Sequence, residues 1–294
     1  MLSILVPVFN FNVVPFVRDL HQQALACNVP FEILCYDDGS TAEYKSLNTQ
    51  LEELEHLVYV ELPENVGRSK IRNLLTEKAK HPYLLFVDCD SQVTSENYVA
   101  NYLDQKQDDK VLYGGRVYQE HPPEDPQQYL RWFYGVKRET LDIQSRNLHP
   151  YRSFLTNNYF IPKKIQEKVR LNEELIGYGH EDTLLGKDLK SQGIPVHHID
   201  NPLCHIGLET APEFLKKTQQ GIANLYYMIQ KGYADEDIRL YEFYRLCKKT
   251  GTAPLLRTLF RWRKKGFEKN LLSSRPSLRN FDLYKLGILL ETAR

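Results

Sequence analysis

The sequence predicts an α/β protein with a mostly parallel sheet flanked by helices, followed by a helical C-terminal region. Three observations carry this. Short apolar, β-branched runs alternate with stretches of helical spacing through the first half of the chain, the pattern of βαβ crossovers. Acidic or glycine-bearing turns stand where those runs end, the place where open parallel sheets bind ligands. After about Thr210 the strand pattern stops and only helical periodicity remains.

Taken in order, Ser3–Val8 reads as the first strand and Val13–Ala26 as the first helix. Phe31–Tyr36 and Glu43–Leu54 form the second strand and helix, Leu57–Glu61 and Gly67–Lys80 the third pair. Pro82–Val87 is the fourth strand, with further strands at Val111–Tyr113, Phe154–Ile161 and Val196–Ile199. Thr183–Gln192 has helical spacing, and Pro122–Pro126 is a proline- and acid-rich loop. Pro212–Lys231 opens the helical region. The expected division is an α/β domain over residues 1–210 and a helical region over 211–294.

The chain has 294 residues, 38 basic and 38 acidic, so no global field marks a nucleic-acid binder. Its five cysteines are widely spaced with no Cys-x-x-Cys, which argues against a disulfide framework or a structural zinc site. Leu2–Phe9 is apolar but has no basic leader, and Pro7 interrupts it, so it is expected to be a strand and not a signal peptide. No apolar run approaches bilayer length. The expectation is a cytoplasmic protein, with a peripheral position on the inner face of the membrane as the alternative.

The chemistry concentrates at strand ends. Leu84-Leu85-Phe86-Val87 ends in Asp88-Cys89-Asp90, two carboxylates placed to attract a hard divalent cation shared with a diphosphate. Tyr36-Asp37-Asp38-Gly39-Ser40 follows the second strand. Gly39 permits a tight turn, and Asp37 can accept hydrogen bonds from a base or ribose. Asn65-Val66-Gly67-Arg68 opens a helix N-terminus suited to an anionic ligand, while Lys70 and Arg72 read in part as a solvated face. Gly177-Tyr178-Gly179-His180-Glu181-Asp182 aims carboxylates into a cleft from a glycine-flanked loop. Adjacent residues at a helix start point about 100° apart, so Glu181 and Asp182 should hold different roles.

The ordered set of Pro-Val-Phe-Asn, Asp-Asp-Gly-Ser, Asn-x-Gly, Asp-x-Asp, Gly-Gly-Arg, Thr-Asn-Asn and Gly-x-Gly-x-Glu-Asp resembles family 2 glycosyltransferases of the GT-A type. The resemblance covers roughly residues 1–205 and implies a Rossmann-like sheet, a nucleotide-sugar donor, a divalent metal (Mn2+ or Mg2+) and inversion at the anomeric carbon. It implies that the backbone at Pro7 and Val8, with Asp37, the adjacent Asp38 and Arg68, holds the nucleotide, commonly a UDP-sugar. Asp88 would contact the ribose and assist the metal, and Asp90 would ligate it, with His205 as a further ligand. Asp182 would be the catalytic base, with Glu181 orienting a substrate. The Gly-Gly-Phe-Asp-Glu run of many relatives is replaced here by Val169-Arg170-Leu171-Asn172-Glu173-Glu174.

The acceptor, a glycan or a lipid-linked sugar, is less legible. Trp132, in the cluster Tyr129, Trp132, Phe133 and Tyr134, either stacks on a sugar or packs in a helix interface. Arg257–Lys269 carries six basic residues and one acid among interleaved apolar ones. It either lies on an anionic membrane surface or packs with its basic face solvated. Packing is the preferred expectation, because the apolar residues do not form one stripe. Two other classes compete. One is a non-catalytic nucleotide- or glycan-binding subunit. The other is a haloacid-dehalogenase-type phosphotransferase with Asp88 as nucleophile, although that motif belongs on a first strand and here follows the fourth.

Overall fold

The computed structural model describes residues 1–293. The chain divides into two compact units. The first comprises Met1–Gln119, Arg138–Glu174 and Glu181–Gly207; the second comprises Glu120–Lys137, Leu175–His180 and the chain from Leu208 on.

The first unit opens with β1 (Leu2–Val8), α1 (Val14–Ala26), β2 (Phe31–Asp37), α2 (Ala42–Asn48), β3 (Leu57–Glu61), α3 (Arg68–Lys78) and β4 (Tyr83–Val87). It continues through β5 (Ser91–Val93), α4 (Tyr98–Asp104), β6 (Val111–Tyr113) and β7 (Arg116–Val117). In the second unit lies α5 (Tyr129–Tyr134). The first unit resumes with α6 (Ile143–Leu148), β8 (Asn158–Pro162), α7 (Lys163–Lys168), α8 (Glu181–Ser191), β9 (Val196–His198) and β10 (Leu203–His205). Four helices complete the second: α9 (Ala211–Gln230), α10 (Arg239–Lys249), α11 (Ala253–Leu271) and α12 (Leu278–Thr292).

Seven strands form one sheet in the order β3-β2-β1-β4-β8-β6-β9. All its pairings are parallel except those of β8, which runs antiparallel to β4 and β6. The two-residue period of a strand sends alternate side chains to opposite faces, and both faces here are covered. Leu2, Ile4, Val6 and Val8 of β1 join Ile33 and Cys35 of β2 and Leu85 and Val87 of β4 under α1 and α4. Leu5, Leu34, Leu84 and Phe86 point the other way, into a second cluster with Ile71 and Leu75 of α3 and Leu185 and Leu189 of α8. Each such side chain contributes about 1.5–3 kcal/mol on burial.

Two expected elements differ from the observed ones. The second helix stops at Asn48 and continues as a 3-10 turn over Thr49–Glu53. Asn48 is turned inward: its Oδ1 accepts from the Val13 N–H at 3.0 Å and its Nδ2 donates to the Phe11 carbonyl at 2.9 Å. The strand expected from Phe154 begins only at Asn158, just after Asn157, whose carbonyl accepts from the Asp88 N–H at 3.0 Å. A second sheet, β5-β10-β7, was not expected, and its strands hold two or three residues each.

In the second unit, α9 begins at a capping box between Thr210 and Glu213, with Pro212 in its first turn. Phe214 and Leu215 of α9 meet Phe260 and Leu271 of α11 and Phe281 and Tyr284 of α12. Gly287 makes the α11–α12 approach possible, since a Cβ there would lie 2.1 Å from the Phe260 ring.

Candidate active site

Strands β2, β1 and β4 are neighbours, and each ends in a motif singled out from the sequence. Pro7 and Val8 lie opposite Tyr36 and Asp37 in the β1–β2 register. The Val8 carbonyl accepts from the Asp38 N–H at 2.7 Å, which locks the two strand ends together. Asp37 is fully buried. Its Oδ1 accepts from the Ser40 N–H at 2.7 Å, and the Tyr59 hydroxyl donates to Oδ2 at 3.4 Å. Asp38 reaches across to the next loop and accepts from the Val66 N–H at 2.7 Å and the Gly67 N–H at 3.1 Å. Burial pushes the Asp38 carboxyl up, against those two hydrogen bonds. Between the aspartates and Ser40, Gly39 has φ +75°, and a Cβ there would meet the Asn65 nitrogen at 2.6 Å. Only glycine fits this turn.

Asp88 sits among guanidinium groups. Arg72 donates to its Oδ1, and Arg116 reaches Oδ2 at 3.4 Å and Arg68 at 3.6 Å. Arg72 is 2% exposed, so it belongs to the buried ion network and not to a solvated helix face. Charge alone had marked it as solvated; burial beside a carboxylate is the exception that pairing allows. Arg116 was not expected at the site. It also pairs with Glu139 at 3.3 Å, and Glu139 accepts from the Tyr118 hydroxyl. Its signal in the sequence was the preceding glycine pair, Gly114-Gly115. A Cβ on Gly114 would meet the Asn201 carbonyl at 2.2 Å, so the chain can approach only without a side chain.

Asp90 is placed by the small sheet. β10 pairs antiparallel with β5 so that His205 faces Ser91. The Ile206 and Gly207 N–H groups both donate to the Asp90 carbonyl, at 2.9 and 3.3 Å. The His205 Nδ1 thereby comes to 3.4 Å from Asp90 Oδ1. Neither atom is hydrogen-bonded, nor is the His205 Nε2, and all three are buried. Buried polar atoms of a native protein nearly always have partners. A carboxylate oxygen and an imidazole nitrogen left over side by side form a donor set suited to a divalent cation. Burial pushes the Asp90 carboxyl up, but His205 and the Arg116 and Arg68 guanidinium groups outweigh it and hold the acid below its usual range. Among the described residues no cluster of three or more His, Cys, Asp or Glu side chains is arranged for a metal. Asp90 and His205 therefore offer two ligands at most.

Arg68 ties the Asp88 end of the site to the start of α8, because its Nε donates to Glu181 Oε1 at 2.6 Å. Burial raises the Glu181 carboxyl, yet Arg68 and Arg72 more than compensate and hold it below its usual range. Asp182 behaves oppositely. Burial, and then the adjacent Glu181 charge, push it up to about 7. Its Oδ1 accepts from the Thr183 N–H at 2.7 Å. The two carboxylates thus carry different electrostatics, one pinned and ionised, the other poised near neutrality. Arg68 and Arg116 act on both Asp90 and Asp182, so the acids at β4 and at α8 share one electrostatic environment.

Of the two readings left open for Trp132, the structure favours packing. Trp132 is buried in the second unit, 5.5 Å from the Tyr129 ring. In the first unit, Val169–Glu174 is held by Asn73, which donates to the Leu171 carbonyl at 2.9 Å and to Glu173 at 2.8 Å.

The sheet, its covering helices and the ring of strand-end carboxylates define a GT-A-type glycosyltransferase fold. The chain belongs to glycosyl transferase family 2, whose profile matches residues 3–162. It is 25% identical to a chondroitin synthase of Pasteurella multocida over 69% of this chain and 24% of that protein. It is 22% identical to YfnE, an uncharacterized glycosyltransferase of Bacillus subtilis, over 78% of this chain and 70% of that one. The chain thus spans about a quarter of the length of the chondroitin synthase. Among solved structures, mannosyltransferase PcManGT from Pyrobaculum calidifontis, in complex with GDP-Man and Mn2+, superposes with a TM-score of 0.59. That match has 13% identity and covers 99% of this chain and 86% of that one. Glucosyl-3-phosphoglycerate synthase from Mycobacterium tuberculosis, with Mg2+ and UDP, gives 0.54 at 15% identity over 80% and 81%. At such identities the likeness is one of fold. The phosphotransferase alternative loses its basis, since the matching profile over residues 3–162 is that of glycosyl transferase family 2.

Proposed function

We propose that this protein is an inverting glycosyltransferase that moves a sugar from a UDP-linked donor to a hydroxyl of a glycan or lipid-linked acceptor. The observation that carries this reading is the contrast between Glu181, pinned by Arg68, and Asp182, raised to about 7 in the same cluster. A general base needs a pKa near the working pH, and Asp182 has one. Family membership and the nucleotide-bound fold relatives support the donor class.

In this reading the β1 end at Pro7 and Val8, with Asp37, Asp38 and Arg68, binds the nucleotide, and Asp88 orients the ribose. The metal ligands in this reading are Asp90 and His205, supported by buried atoms of each that face one another without a hydrogen bond. A divalent cation held there supplies positive charge against the diphosphate when bound. Asp182 takes the proton of the acceptor hydroxyl as that oxygen bonds the anomeric carbon. The bond from that carbon to the diphosphate breaks on the opposite face, and configuration inverts. Glu181, fixed by Arg68, positions a substrate hydroxyl, and holding both substrates in line lowers the barrier further.

The test separates binding from chemistry. Asp182→Asn should abolish sugar transfer from UDP-sugars while leaving calorimetric UDP affinity within about twofold of wild type, under 0.5 kcal/mol. Turnover of the variant at the wild-type rate removes Asp182 from the base role.

A further inference from the structure

Helix α11 has two apolar faces, not one. Leu256, Phe260, Phe267 and Leu271 point into the helical unit. Leu255, Leu259 and Trp262 point outward and are 70%, 47% and 81% exposed. Their spacing of four and then three residues sets them in one line along the helix. The apolar residues thus form two stripes, and packing in the helical unit accounts for the inward one.

The exposed stripe has basic edges. At about 100° per residue, Arg263 lies on one flank and Lys265 and Lys269 on the other. Arg261 and Lys264 turn toward Glu291 of α12, at 2.9 and 3.9 Å, and so away from the exposed stripe. The one acid of the segment, Glu268, faces the Tyr284 hydroxyl at 3.4 Å, away from the stripe. A tryptophan and leucines between lysines and arginines form an apolar strip set in positive charge, on a chain whose net charge is zero. That combination matches an anionic bilayer surface, where the ring and leucines enter the acyl boundary and the cations meet headgroups. No helix among the described residues is long and apolar enough to cross a membrane.

We infer that the outward face of α11 docks the protein on a membrane surface carrying anionic lipids, through Leu255, Leu259 and Trp262 with Arg263, Lys265 and Lys269 around them. The inference is independent of the donor and base assignments.

The protein has two tryptophans, and the other, Trp132, is buried. Trp132→Phe therefore leaves Trp262 as the sole reporter. The full chain should co-float with phosphatidylcholine vesicles containing phosphatidylglycerol and not with phosphatidylcholine alone. Trp262 emission should shift to the blue on binding and be quenched by brominated acyl chains. Leu259→Ser with Trp262→Ser should abolish flotation without lowering the melting temperature, since both side chains are exposed. Arg263→Gln and Lys265→Gln should each cut partitioning roughly fivefold. Absence of flotation, or flotation that survives the Leu259/Trp262 substitutions, overturns the proposal. So does a Trp262 already blue-shifted without lipid in a dimer, which would make this face an interface between copies of the chain.

Discussion

The raised acidity constant of Asp182 can be tested without any substrate. Substitution by asparagine keeps the shape of the side chain and the Oδ1 acceptor of the Thr183 N–H but removes the titration. In the unfolded chain an aspartate titrates near ~3.9, whereas in the fold Asp182 is pushed up to about 7. The folded state thus holds the proton more tightly. The resulting stability is fully present below the unfolded pKa and is lost as pH rises through about 7. At ~1.4 kcal/mol per unit, the loss between about pH 5 and pH 8 is close to 3 kcal/mol at full strength. Asp182 is only half-buried, and screening reduces this to about 1.5 kcal/mol. The advantage of Asp182→Asn over wild type should therefore grow by about 1.5–3 kcal/mol across that interval. In calorimetric melts this is a widening of several degrees. A difference between the proteins that is constant with pH, or that narrows, would falsify the assignment of a neutral-range carboxyl.

The same group sets the pH dependence of catalysis: kcat/KM should fall as pH drops below about 7, because the base is then protonated, and a flat profile to pH 5 would contradict the role. Arg72→Met leaves the buried Asp88 with only its longer contacts to Arg116 and Arg68. Urea unfolding should show a loss near the lower end of the 3–5 kcal/mol typical of a broken buried pair, about 3 kcal/mol. Gly39→Ala forces a side chain into a φ of +75° and against the Asn65 backbone. It should destabilise by about 1–3 kcal/mol and weaken UDP binding together, and a neutral effect on both would show that this turn tolerates a Cβ.

What was readable in the sequence follows from length and periodicity. β1, β2 and β4 are five to seven residues long, enough for apolar continuity to mark buried parallel strands. β5 (Ser-Gln-Val) and β7 (Arg-Val) carry no apolar run, unlike the equally short Val-Leu-Tyr of β6, so the sheet that delivers His205 to Asp90 was invisible although both residues were named. β8 runs antiparallel to β4 and β6, and no residue type in the strand encodes that direction. The carboxylates were legible because each stands where an apolar run or a glycine-flanked loop ends. Their arginine partners were not. Arg72 and Asp88 are sixteen residues apart, and only the packing of α3 against β1 shows that this guanidinium is buried. The double face of α11 was hidden because its inward and outward apolar residues interleave along the chain and blur a single stripe.

The account turns on Asp90 and His205 being the place where a cation and a nucleotide diphosphate meet. The most direct measurement is calorimetric titration of UDP into wild type and Asp90→Asn, each with and without Mn2+. The account predicts that Mn2+ tightens UDP binding to wild type by about tenfold or more, ~1.4 kcal/mol. It predicts no such gain for the variant, whose Mn2+-free affinity stays that of wild type. Equal tightening in both proteins, or UDP binding to wild type that ignores Mn2+, would contradict it.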